Sequence, residues 1–179
     1  IPTFVKRLSG SSDRWVTTLL VIPALVGIAG MLINGWHSDK TGERHWHTAA
    51  PLFAAGLMFG LLLLMRHNTS LATLCLLLGS GFLYAYYPTF WAIPTLVLSE
   101  SAAAATFGLI NSVGQLGGFA GNYGIGYLNT RTGSLAASFG FIAAVYGLAG
   151  ILIVGLKRES AKAVDGVVWA GRENSSPSR

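Results

Sequence analysis

The sequence predicts an all-α membrane protein with five membrane-crossing helices, and three observations carry that prediction. Of its 179 residues, 52% are hydrophobic and 11% charged, whereas an ordinary soluble domain is about one quarter charged; mean hydropathy is +0.55. The charges are segregated: no Asp, Glu, Lys or Arg falls in 15–36, 48–65, 71–98, 102–128 or 133–156. Each of these runs approaches or exceeds the roughly 20 apolar residues a helix needs to cross about 30 Å of hydrocarbon. They are too long for buried strands of about 4 to 8 residues, and they lack the apolar-polar alternation of a membrane barrel.

Taken in order, residues 1–14 form a non-cytoplasmic leading loop, where Ser11, Ser12 or Asp13 caps the first helix. A chain that starts at Ile1 with no signal-like segment reads as a fragment. Trp15 marks the membrane interface of the first span, 15–36. A polar cytoplasmic loop over 37–47 leads into the second span, 48–65, and a short link over 66–70 follows. The third span, 71–98, holds the single cysteine, Cys75, as a small apolar residue. It ends in "YAYYPTFWAIPTLVLSE", where Pro88 and Pro94 each remove a backbone donor and predict a kinked or broken helix.

Ser99, Glu100 and Ser101 are placed to cap the fourth span, 102–128, which is dense in glycine. Spacings of four between Gly56 and Gly60, Gly114 and Gly118, and Gly117 and Gly121 predict close backbone approach. The fourth helix, with so few side chains to pack, reads as one that slides or bends. A short loop over 129–132 precedes the fifth span, 133–156, and the polar tail 157–179 has the composition of a disordered terminus. The balance of Lys and Arg near the span ends votes, narrowly, for the 37–47 loop and the tail on the cytoplasmic side.

Chemistry-bearing residues are few. Asn111, Gln115, Gly118 and Asn122 share one face of the fourth helix. Without bulk water their amides either bond to neighbouring helices or line a wet cavity, where they suit hydroxylated or carboxylated solutes. Tyr84, Tyr86, Tyr87, Phe90 and Trp91 crowd the proline-broken segment, either as an interfacial belt or as a platform beside a ligand, with the Trp91 indole N–H as donor. His37, His45 and His47 cluster at the polar loop but lack a fourth ligand, so no metal site is expected. No dinucleotide, phosphate-loop or nucleophile-elbow motif occurs, and the net charge of +5 is scattered instead of forming the stripe of a nucleic-acid binder. The sequence thus predicts no enzyme, no cofactor and no nucleic-acid partner.

The stretch "GWHSDKTGER" is the most specific signal. Gly35, Asp39, Lys40, Gly42 and Arg44 resemble the G-x-x-x-D-[RK]-x-G-[RK]-[RK] signature of major facilitator superfamily transporters, with Glu43 departing from the basic pattern. Gly35 and Gly42 permit a tight turn, Asp39 suits a helix N-terminus, and the basic residues suit C-terminal carbonyls. "HSDKTGER" looks like the form carried by the anion:cation symporter family, and residues 90–128 are similar to helices ten and eleven of that family's tartrate, galactonate and phthalate-type permeases.

That resemblance implies five helices corresponding to helices eight to twelve, most of the C-terminal six-helix bundle of a twelve-helix fold. Trp91 and Asn111 match substrate-contacting positions of galactonate-type relatives, with Gln115 one turn on and Phe90 and Tyr87 beside them; Pro88 stands where some relatives carry a small hydroxyl residue. The implied function is proton-coupled transport of a small organic anion, a sugar acid or carboxylate, by alternating access. The coupling carboxylates belong to an N-terminal half that pairs with this one in the bacterial inner membrane. Two other readings stand beside it: an inactive truncated membrane protein, and a membrane-embedded enzyme with Glu100 and a loop histidine as acid and base.

Overall fold

A computed structural model describes residues 13–65, 67–96 and 98–174, with the side chains of 21–157 inside those limits apart from Glu100. The described residues are helical with no strand: α1 (Asp13–Thr41), α2 (His45–Leu64), α3 (Thr69–Ala85), α4 (Tyr87–Ala92), a 3-10 turn (Pro94–Leu96), α5 (Glu100–Thr132) and α6 (Leu135–Asn174). The first twelve residues of the leading loop, Arg66 and the last five of the tail lie outside the described residues.

Four segments, Val21–Thr41, His45–Leu64, Thr69–Leu96 and Leu135–Lys157, are long and apolar enough to cross a membrane. The fifth expected span, α5, has 33 residues and ample length, but Asn111, Gln115, Asn122 and its many glycines dilute its hydropathy, and it is not among the four.

Helix ends correct several sequence boundaries. The polar loop is mostly helix: α1 runs through Gly35, Asp39 and Lys40 to Thr41, and only residues 42–44 link it to α2. Gly42 ends α1 because its φ of +70° lies in the left-handed region that a Cβ disfavours. Gly133, at φ +62°, closes α5 in the same way, with its N–H donating to the Asn129 carbonyl at 2.9 Å. Asn68 starts α3 by accepting from the Leu71 N–H at 3.1 Å. The tail, expected to be disordered from 157, continues α6 as helix to Asn174.

The predicted break in the third span is present. α3 stops at Ala85 and α4 restarts with Pro88 in its first turn, the position where a missing N–H has no partner to lose. Pro94 then ends α4 and opens the 3-10 turn.

The core lies along α2. Phe59, Ala55 and Leu62 pack with Leu76 of α3 and Phe139 of α6, and the rings of Phe59 and Phe139 stack with centroids 6.1 Å apart. Backbones approach closely at Gly56, where a Cβ would stand 3.1 Å from the Ala143 carbonyl oxygen, and at Gly150, where it would meet the Phe53 ring at 2.7 Å. The glycine pairs of α5 do not behave so: a Cβ at Gly114, Gly117, Gly118 or Gly121 meets nothing within 4 Å, and neither does one at Gly60. Residues 111–120 of α5 are all exposed, so the close packing predicted for that helix is not made by the described residues.

Candidate functional site

Broken backbone, aromatic crowding and the polar face of α5 converge on one cavity of about 470 Å³. Tyr87, Phe90 and Trp91 enter it from α4, Asn111 and Gln115 from α5, and Tyr146, Leu152 and Ile153 from α6. All five residues singled out as substrate-binding in the sequence therefore line the same space. The break at Tyr86 makes this possible, because it gives Tyr87 to Trp91 a short helix of their own.

The rings interlock edge to face. Tyr86 meets Phe90 at 6.0 Å and 76°, Phe90 meets Trp91 at 5.3 Å and 75°, and Trp91 meets Phe107 of α5 at 5.6 Å and 78°. Such tilted contacts suit the negative face and positive edge of aromatic rings. Phe107 lies one turn before Asn111, so the contact that fixes the Trp91 ring also fixes the register of the amide beside it. Among the described residues, no hydrogen bond holds the Trp91 indole N–H or the amides of Asn111 and Gln115, and all three remain accessible from the cavity. Chemically, the arrangement offers donors and acceptors framed by aromatic faces, suited to holding a small polar solute and not to breaking bonds in one.

The second group of predicted residues forms a polar knot at the α1–α2 turn. Asp39 pairs with Arg44 inside the motif, so the carboxylate expected at a helix N-terminus is neutralised by its own signature partner. The capping falls to Glu43, the residue that departs from the signature. Its carboxylate accepts from the Trp46 N–H at 2.8 Å and the His47 N–H at 3.3 Å, at the positive end of α2. It also accepts from Lys157 Nζ of α6 at 3.0 Å and contacts His47 Nδ1 at 3.2 Å.

Burial, the largest single influence, pushes the Glu43 carboxyl up, but the Trp46 N–H, Lys157 and His47 together outweigh it and hold its pKa at about 2. Gly35 does not turn the chain. It is helical and faces Pro88, at 3.5 Å from a would-be Cβ. Lys40 sits in the last turn of α1, at its C-terminal end, with its ammonium 5.2 Å from the centroid of the Trp36 ring.

Sequence reading missed what surrounds these residues. Asn34 Nδ2 donates to the carbonyls of His47 at 2.7 Å and Ala85 at 2.8 Å, tying α1 to α2 and α3. Thr48 and Thr89 share a buried hydroxyl contact at 3.0 Å that joins α2 to α4. Ser38 bridges the Glu43 carbonyl at 2.6 Å and Arg44 at 3.0 Å. A lone Asn in an apolar run was the one available signal; the threonines gave none. Glu100 opens α5, and its side chain lies outside the described residues. No group of three His, Cys, Asp or Glu among the described residues is arranged to hold a metal ion.

The family profile of the Major Facilitator Superfamily matches residues 1–122. A putative tartrate transporter of Agrobacterium vitis is 36% identical over 166 residues, 92% of this chain and 36% of the relative. A quinolone resistance transporter of Acinetobacter baumannii is 35% identical over 164 residues, 90% of this chain and 38% of the relative. The inner membrane transport protein RhmT of Escherichia coli K12 is 37% identical over 120 residues, 66% of this chain and 28% of the relative. The chain thus spans little more than a third of the length of these curated relatives at most. No solved structure matches it. With a family profile over most of its length and four helices apolar enough to cross a bilayer, the chain is a multi-pass membrane protein and belongs to the major facilitator superfamily.

Proposed function

We propose that the chain is the carboxy-terminal part of a secondary active transporter that carries a small organic anion, a sugar acid or carboxylate, coupled to protons. The observation that carries this reading is the single cavity lined by Tyr87, Phe90, Trp91, Asn111 and Gln115. The tartrate transporter likeness points to the solute class. In this reading Asn111 and Gln115 donate to carboxylate or hydroxyl oxygens, the Trp91 N–H adds a third donor, and Tyr87 and Phe90 pack against the carbon skeleton. Amides aimed at a hydroxylated anion discriminate because an analogue lacking the matching group leaves them unpaired.

The rest of the transport cycle rests on an N-terminal half that supplies the other wall of the path and the coupling carboxylates, the two halves rocking about the site. The α1–α2 turn stabilises one of the two states through the Asp39–Arg44 pair and the Glu43 contacts. We place the protein in the bacterial inner membrane with α6 ending in the cytoplasm. The test is uptake of labelled tartrate by cells expressing the gene that encodes this chain. Asn111→Ala and Trp91→Ala should each lower uptake about tenfold or more, the worth of a lost hydrogen bond to a charged solute; uptake unchanged in both variants rejects the site.

A further inference from the structure

We propose that the cleft between α1 and α2 is a lipid site, which takes one acyl chain of an anionic phospholipid whose phosphate meets Lys40. The cleft has a volume of about 600 Å³, larger than the cavity of the candidate site, and shares none of its residues. α1 forms one wall from Val26 to His37, Ala50 and Ala54 of α2 lie on the other, and Gly81 and Ala85 of α3 make the floor.

The cleft exists because α1 and α2 both lean on α3 and meet each other only near their shared turn. A Cβ at Gly30 would stand 3.0 Å from Ala85, and one at Gly79 would stand 3.1 Å from Met58. At the turn, His37 Nδ1 and His47 Nε2 are 2.6 Å apart. Asn34 Nδ2 donates there to the His47 carbonyl at 2.7 Å, the acceptor for which Pro51 has no N–H. The walls therefore touch at the polar end. A helix about 10 to 12 Å across cannot enter there, whereas a hydrocarbon chain can lie up to the rings.

Depth points to the same occupant. From Val26 to His37 the wall rises about 16 Å at 1.5 Å per residue, half of the roughly 30 Å of hydrocarbon and so the depth of one leaflet. Trp36 and Trp46, both exposed, stand at the polar end, where such rings mark the headgroup level. Val26 lies at the middle of the charge-free run 15–36. The cleft thus runs from headgroups to midplane. Ala29, Ile33 and Ala50 are exposed, so it opens sideways; an apolar space at that depth stays dry and fills with acyl chain.

Charge selects the headgroup. Lys40 follows His37 by three positions, on the same face of α1. Among the described residues it pairs with no carboxylate, because Asp39 holds Arg44 and Glu43 holds Lys157. The phosphate of a lipid whose chain fills the cleft emerges beside that ammonium.

The experiment takes the product of the gene that encodes this chain, in nanodiscs of equal phosphatidylglycerol and phosphatidylcholine, and identifies by native mass spectrometry the last phospholipid stripped from it. One phosphatidylglycerol per protein is expected. Ala29→Phe and Ala50→Phe, which place rings in the cleft from exposed positions, should each remove it. Leu148→Phe, on the exposed face of α6, should not. Lys40→Gln should keep the lipid but cut the preference for phosphatidylglycerol about fivefold, what one basic residue contributes beside an anionic surface. The proposal is overturned by a lipid retained in both Phe variants, or by equal retention of the two lipids in the parent. A parent released without lipid also overturns it, whether as a monomer whose other helices cover the cleft or as a dimer seated across it. None of these outcomes depends on whether the protein transports an organic anion.

Discussion

Glu43 shows how one residue's role is set by its neighbours. As a departure from a basic signature it looks like a loss, yet its carboxylate occupies the helix N-terminus and ties α6 to the turn. Its pKa, lowered from 4.5 to about 2, makes its contribution to stability pH-dependent. The contribution is complete above about 4.5 and is lost as pH falls toward 2, because the folded state resists the proton that the unfolded state takes up. Glu43→Gln should cost about 1 kcal/mol at neutral pH through the lost charge at the helix end and the lost ion pair. It should also flatten the stability profile between pH 4.5 and 2. Thermal denaturation followed by dye labelling of Cys75, which packs against the core, reads both effects; a variant as acid-sensitive as the parent rejects the assignment. At the same scale Asn34 exceeds what its sequence position suggested, since one amide satisfies two carbonyls on two other helices.

Among the elements, α5 is the outlier. Its glycines read as packing motifs, but the glycines that admit the closest neighbours sit on α1, α2, α3 and α6 instead. The physical reason is that spacing alone says which residues share a face, not whether another helix lies against it. Leucine at the two kinds of glycine should therefore differ. Gly150→Leu drives a side chain into Phe53, which a Cβ already meets at 2.7 Å, and should cost about 1 to 3 kcal/mol by overpacking. Gly114→Leu meets nothing within 4 Å and should leave the melting temperature of this chain within error. Equal losses would mean that α5 is seated more tightly than described. The broken third span is the counterexample: Pro88 has no N–H to donate, and the break at Tyr86 beside it was legible before any packing was known, although Pro23 and Pro51 sit inside α1 and α2 without breaking them.

For the molecule as a whole, α2 is the spine on which α3 and α6 are built. In a bilayer little hydrophobic transfer energy favours that assembly, since lipid tails are as apolar as leucine, and tight packing does the holding. Phe59→Ala, which removes the ring stacked on Phe139, should therefore cost on the order of 2 kcal/mol, the cavity part of the roughly 3 to 5 lost in a soluble core. A loss below about 0.5 kcal/mol would show that the core is not continuous across α2 and α6. The sequence by itself determined the class, the helical runs, the proline break and the identity of the signature turn, because hydropathy, missing donors and left-handed glycine are properties of single residues or short windows. It also named five of the residues that line the cavity, through the aromatic cluster, the i, i+4 amides and the family resemblance. Only the tertiary structure decided that these five face one space with Tyr146 beside them, that Glu43 and not Asp39 caps α2, and that Lys157 and the two histidines join the same knot. Those facts depend on which helix lies beside which: Lys157 is 114 positions from Glu43, and nothing local to either residue records the other.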